Sequence, residues 1–137
     1  MSSRPNYSNN KGNEADDIDP SKRKITVMPT EGGKEDETCK TFVFNKEDHT
    51  LGNSLRYVIM KNPDTQFCGY SIPHPSEDKI NFRIQTYGKP AKDVLDKGLN
   101  DLNSICSHVL RTFETSVNDH KRRNQSTDVE MRENSVG

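Results

Sequence analysis

The side chains in this chain that could do covalent, acid–base or metal chemistry are few and dispersed. Four histidines, His49, His74, His108 and His120, show no HxH or HExxH spacing, the patterns that bring two imidazoles onto one metal. The cysteines, Cys39, Cys68 and Cys106, are odd in number and form no CxxC or other ligand spacing. A nucleophile–base pair would have to join Cys68 to His74, yet six residues of extended chain hold them ~20 Å apart. His74 lies between two prolines in a turn, where it reads as a hydrogen bonder that holds a strand connection. Asp93, Asp96 and Asp101 do not share one helical face, and Asp93 and Asp96 suit a first helical turn, whose dipole favours negative charge. The glycines are scattered and build no phosphate-cradling loop. These residues point to no catalytic centre, no metal and no cofactor.

The elements that position these side chains carry more information. The run EDHTLGNSLRYVIMKNP, residues 47–63, predicts a short amphipathic helix with Leu51, Leu55, Val58 and Ile59 on one face. Asp48 or Thr50 can cap it, and Asn62 before Pro63 ends it. Gly52 costs this helix roughly 1 kcal/mol relative to alanine, which is tolerable where another backbone must come close. Upstream, Lys22–Met28 suits a strand stopped by Pro29, and Phe42–Phe44 a second. Gln66–Ile72 reads as a third strand, with Cys68, Tyr70 and Ile72 on one face and a bulge or close approach at Gly69. The sequence PHPSED, residues 73–78, is a turn. Lys79–Thr86 alternates cleanly, with Ile80, Phe82, Ile84 and Thr86 inward.

A second helix is predicted from about Pro90 to Asn118. Ala91, Leu95, Leu99, Leu102, Cys106, Val109, Phe113 and Val117 form one stripe, widened by Val94, Ile105 and Leu110. At 1.5 Å per residue it would be ~40 Å long, whereas strands of 5–7 residues span only ~17–24 Å. The sheet cannot cover such a stripe, so its far end needs another partner, the alternative being a helix that simply overhangs and frays.

Composition bounds the rest. The chain has 137 residues, 28% hydrophobic and 30% charged, with a mean hydropathy of -1.03. Most apolar residues fall between Thr38 and Asn118, which sets the expected organisation: a disordered N-terminal tail over 1–21, a folded domain over 22–118 and a polar, frayed C-terminal tail over 119–137. Lys121, Arg122 and Arg123 are expected beside the helix C-terminus, where positive charge is favoured. The formal net charge of -1 lacks the basic surplus of a protein that binds through phosphates. Sheet-and-helix RNA-binding modules share the element order, but Phe42–Val43–Phe44 lacks the glycines and basic lead of their stacking strand. A free-standing RNA-binding module is therefore the weaker alternative. Nothing in the sequence resembles a signal peptide or a membrane span, and the cysteines are expected to be reduced, in a soluble intracellular protein.

Three strings then act together: EDHTLGNSLR (47–56), FCGYSIPHPSE (67–77) and RIQTYG (83–88). In order and spacing they resemble the small α-like subunits of eukaryotic RNA polymerases. That family is related to archaeal subunit L and to the N-terminal domain of the bacterial polymerase α subunit. SLRYVIMKNP and CGYSIPHPSE resemble the branch shared by polymerases I and III more than the polymerase II counterpart, which stays the alternative. The resemblance implies an α+β dimerisation fold: an antiparallel sheet of about four strands, covered on one face by a short and a long helix. It implies a non-catalytic subunit in the nucleus and nucleolus that heterodimerises with a larger α-like subunit. The pair would form a platform for the second-largest catalytic subunit and small zinc-bearing subunits, with no direct sequence-specific nucleic-acid binding. Carried onto this sequence as partner-binding residues, Leu51, Leu55 and Ile59 would line the first helix's buried stripe, with Gly52 admitting the partner backbone. Asn53 and Arg56 would hydrogen-bond locally or to the partner, and Leu102, Val109 and Phe113, with Val117, would make the distal contact. Tyr70, Pro73 and His74 would shape the strand end or, as the alternative, make a subunit contact.

Overall fold

The computed structural model describes residue 19 and residues 22–136. The expected disorder of residues 1–21 thus lies, but for Asp19, outside the described residues. The elements run β1 (Ile25–Val27), β2 (Cys39–Asn45), α1 (His49–Met60), β3 (Thr65–Ser71), β4 (Lys79–Thr86) and α2 (Ala91–Asn134). The strands form one antiparallel sheet in the order β1-β2-β4-β3. α1 packs on β3, α2 on β4 and β2, and the helices touch each other. This is the α+β arrangement expected, with both helices on one face.

Alternation on β4 sets the core. Ile80, Phe82, Ile84 and Thr86 are all buried. Phe44 meets Phe82 edge-on at 5.7 Å between centroids, and Tyr70, opposite Phe82 in register, stacks on it at 6.4 Å. From the helices come Leu55, Ile59, Ala91, Val94 and Leu95. The buried Thr65 hydroxyl donates to the Ile59 carbonyl at 2.8 Å, fastening the end of α1 to the start of β3. The start of α2 is fastened too: the Ala91 N–H donates to the Glu37 carbonyl at 2.7 Å.

One expectation is narrowed and one is corrected. The bulge of β3 lies between Thr65 and Phe67, while Gly69 stays in register opposite Arg83 and marks a close approach instead, a Cβ there standing 2.9 Å from the Phe67 ring. The correction concerns α2, which runs on through residues 119–134 where a frayed tail was expected. Lys121, Arg122 and Arg123 are therefore interior helical residues. No glycine or proline occurs between Gly98 and Gly137, so nothing interrupts a helix already nucleated on the sheet. Local pairs support the polar segment: Arg122 bridges to Asp119, and the Ser126 and Thr127 hydroxyls donate to the Arg122 and Arg123 carbonyls. The 44 residues extend ~66 Å.

Candidate dimerisation surface

α1 is built to be held on three sides. Asp48 caps it, its carboxylate accepting the Thr50 N–H at 2.9 Å. This bond holds the Asp48 carboxyl below the usual carboxylate range. Gly52, Leu55, Val58 and Ile59 face inward and are buried. The turn at Gly52 does make a close approach, but to this chain's own Tyr70. A Cβ there would stand 2.7 Å from the Tyr70 ring, so the glycine makes room for that ring. The ring's hydroxyl lies 2.7 Å from His49 Nδ1 and donates to Asn53 Oδ1 at 2.9 Å. Arg56 Nε donates to the Cys68 carbonyl at 3.2 Å. Asn53 and Arg56 thus make the local bonds foreseen as one of their two roles.

The contact between the helices depends on a residue the sequence reading passed over. A Cβ on Gly98 would fall within van der Waals contact of Ile59 Cγ1, so only glycine lets α2 lie this close to α1. Its signal was present, a glycine amid the stripe of Leu95 and Leu99, but its neighbour belongs to another helix. Leu55 and Ile59 are buried in this chain's own core, as the stripe read from the sequence requires. They hold α1 in place. Leu51 and Leu102 are half-buried against the core.

Beyond Leu102 the character of α2 changes. Ile105, Val109, Leu110 and Phe113 continue the apolar stripe yet are exposed, Phe113 by 67%. No described residue of the chain covers them. Beside them a groove of about 420 Å³ opens between the helices, lined by Tyr57, Val58, Lys61, Lys97, Asp101 and Ile105 among others. Tyr57 and Met60 of α1 are exposed next to it. A contiguous run of large exposed apolar side chains on a rigid helix marks a protein–protein contact. Ile105 and Leu110, which widen the stripe in the sequence, are exposed beside Val109 and Phe113, and the exposed Tyr57 and Met60 of α1 are additions that periodicity did not single out.

The residues weighed for chemistry are placed apart from one another and mostly engaged. Burial pushes the Cys68 thiol up to about 12, leaving it protonated and unreactive. His74 Nδ1 accepts the Ser76 N–H at 3.1 Å within its turn. Among the described residues no group of three His, Cys, Asp or Glu could hold a metal ion.

A sheet with two helices on one face, one of them projecting an uncovered apolar stripe, defines a dimerisation domain. Residues 39–112 match the family described as the RNA polymerase Rpb3/Rpb11 dimerisation domain, and the chain belongs to that family. It is 57% identical over 106 residues to DNA-directed RNA polymerases I and III subunit RPAC2 of Danio rerio, covering 77% of this chain and 93% of that protein. To the protein of the same name from Schizosaccharomyces pombe it is 55% identical over 109 residues, or 79% of this chain and 82% of the relative. In fold it is similar to DNA-directed RNA polymerase subunit L of Thermoplasma acidophilum, with a TM-score of 0.56, 16% identity, and coverage of 67% of this chain and 86% of that one.

Proposed function

We propose that this chain is the small α-like assembly subunit shared by RNA polymerases I and III. It acts by pairing with a larger α-like subunit, without catalysing a reaction itself. The observation that carries this reading is the apolar stripe of α2 from Ile105 to Phe113, left exposed on a dimerisation-family fold. The names borne by relatives more than half identical to this chain supply the polymerase class.

In this reading Val109 and Phe113 contact the partner directly, with Ile105, Leu110 and Tyr57 around them. Leu51 and Leu102 seal the border of the contact, while Gly52, Leu55 and Ile59 hold the helix layer from beneath. An interface of this kind exceeds the ~1,600 Å² of a standard complex and is as apolar as a divided core. The heterodimer then serves as a platform for the second-largest catalytic subunit and small zinc-bearing subunits, in the nucleus and its nucleolus. Transcription of ribosomal, 5S and transfer RNA depends on it. The chain brings no cofactor and no sequence-specific nucleic-acid contact of its own.

The test is affinity purification through a tag on this chain, followed by protein identification. Recovery of the larger α-like subunit together with the large subunits of both polymerases I and III is expected. Recovery of polymerase II subunits alone would assign the chain to the other branch, and recovery of no polymerase subunit would refute the reading.

A further inference from the structure

The sheet leaves two strands with an open side, and the two edges differ. β1 has three residues, too few to template another strand. β3 has seven, and Thr65–Ser71 carries no charged residue and no proline, the side chains with which proteins usually blunt an edge. Its register shift between Thr65 and Phe67 disturbs only its beginning. One bond shows which way the edge points. Arg56 Nε reaches the Cys68 carbonyl from α1, so that carbonyl faces away from β4. With the two-residue period of a strand, the N–H and C=O groups of Cys68 and Tyr70 line the open side. Backbone groups of this kind require partners wherever water is excluded.

Two shallow grooves flank this edge. One of about 370 Å³ lies on the helix side, between α1 and β3, and contains His49, Asn53 and Arg56. The other, about 380 Å³, lies on the open sheet face and contains Thr41, Asn81 and Arg83. Each groove holds one arginine, and neither is lined by a carboxylate. Among the described residues neither arginine has an ion-pair partner, and Arg56 commits only its Nε. Phe67, half exposed, borders both grooves.

We infer that the open edge of β3 is a strand-addition site for an extended, carboxylate-bearing segment of a second protein, separate from the helix surface used for pairing. The edge itself defines this occupant. Unpaired strand amides and carbonyls are matched by another extended backbone, and the side chains of an added strand alternate between the two faces of the sheet. An acidic side chain on one face meets Arg56 and one on the other meets Arg83, both as charge-assisted hydrogen bonds. On addition, a backbone N–H replaces Arg56 Nε at the Cys68 carbonyl and frees the guanidinium for its carboxylate. Arg56 thus covers the edge until the segment arrives and then helps hold it.

Amide hydrogen exchange read by mass spectrometry tests this on two samples: the co-expressed pair with the larger α-like subunit, and the native assembly purified through a tag on this chain. Exchange at the Cys68 and Tyr70 amides should slow at least tenfold in the native assembly relative to the pair, with β4 unchanged. The double variant Arg56→Ala/Arg83→Ala should lose that added protection while keeping the pair intact. Equal exchange at Cys68 and Tyr70 in both samples overturns the inference. So does protection already present in the pair that grows with concentration, which would identify a second copy as occupant. Protection lost on deleting residues 1–21 overturns it as well, by assigning the edge to the chain's own N-terminal segment. The pairing proposal is read separately, from exchange along α2, so either can fail without the other.

Discussion

Replacing Phe113 by alanine probes the pairing surface where it is most exposed. Phe113 stands on α2 beyond the sheet with 67% of its surface free. A fully exposed phenylalanine offers roughly 200 Å², so a partner would cover ~130 Å² of it. At ~25 cal/mol per Å² that contributes ~3 kcal/mol, of which Phe113→Ala should remove ~2–3 kcal/mol. Affinity for the larger α-like subunit is then expected to fall by about 30- to 140-fold. The same change should leave the circular dichroism of the co-expressed pair unaltered, because the ring makes no part of this chain's own core. Tyr87, 73% exposed in the loop after β4 and off the stripe, supplies the control. Tyr87→Ala should bind as the parent does in the same titration. A Phe113→Ala variant within about twofold of the parent, or an equal loss with Tyr87→Ala, would refute the placement of the interface.

Three further outcomes follow from the geometry. Gly98→Ala gains ~1 kcal/mol of helix propensity but overpacks against Ile59 at ~1–3 kcal/mol, so urea unfolding of the pair at fixed concentration should show a net loss of up to ~2 kcal/mol. In an Ile59→Ala background the obstacle is gone, and the same substitution should become stabilising; a gain in the parent background would contradict the packing. With its thiol pushed up to about 12, Cys68 should resist iodoacetamide at pH 8 in the co-expressed pair, and Cys106, exposed on this chain's own α2, should react more slowly there than in the urea-unfolded pair because the partner covers α2. The Asp48 carboxyl is depressed mainly by the Thr50 backbone hydrogen bond, so its stabilising effect is full above the ordinary carboxylate range and lost as pH falls through the depressed value. The stability difference between parent and Asp48→Ala should therefore shrink on acidification; a difference that widened would exclude the cap as its source.

Elements governed by local pattern were legible before any coordinates. β4 begins and ends where its alternation does, and the cap and stop of α1 fall at Asp48 and just before Pro63. What escaped depends on residues distant in sequence. A glycine in α1 signalled a close approach, but only the folded sheet could show that the approaching group is Tyr70. Gly98 was overlooked for the same reason, since its neighbour Ile59 comes from the other helix. The end of α2 was misplaced because polar composition was read as a tail, although polarity does not terminate a helix that lacks a breaker. The apolar stripe was visible as a period. Where its cover ceases, just past Leu102, is set by the reach of the sheet and not by any residue type.

The most direct test of pairing is the native mass of the chain produced alone and together with the larger α-like subunit. Alone, the chain should be aggregated, self-associated or poorly folded, because the stripe from Ile105 to Phe113 lacks a cover. Produced together, the two should yield a single one-to-one complex that withstands gel filtration. A well-folded monomer that unfolds cooperatively and ignores the larger subunit would contradict the account.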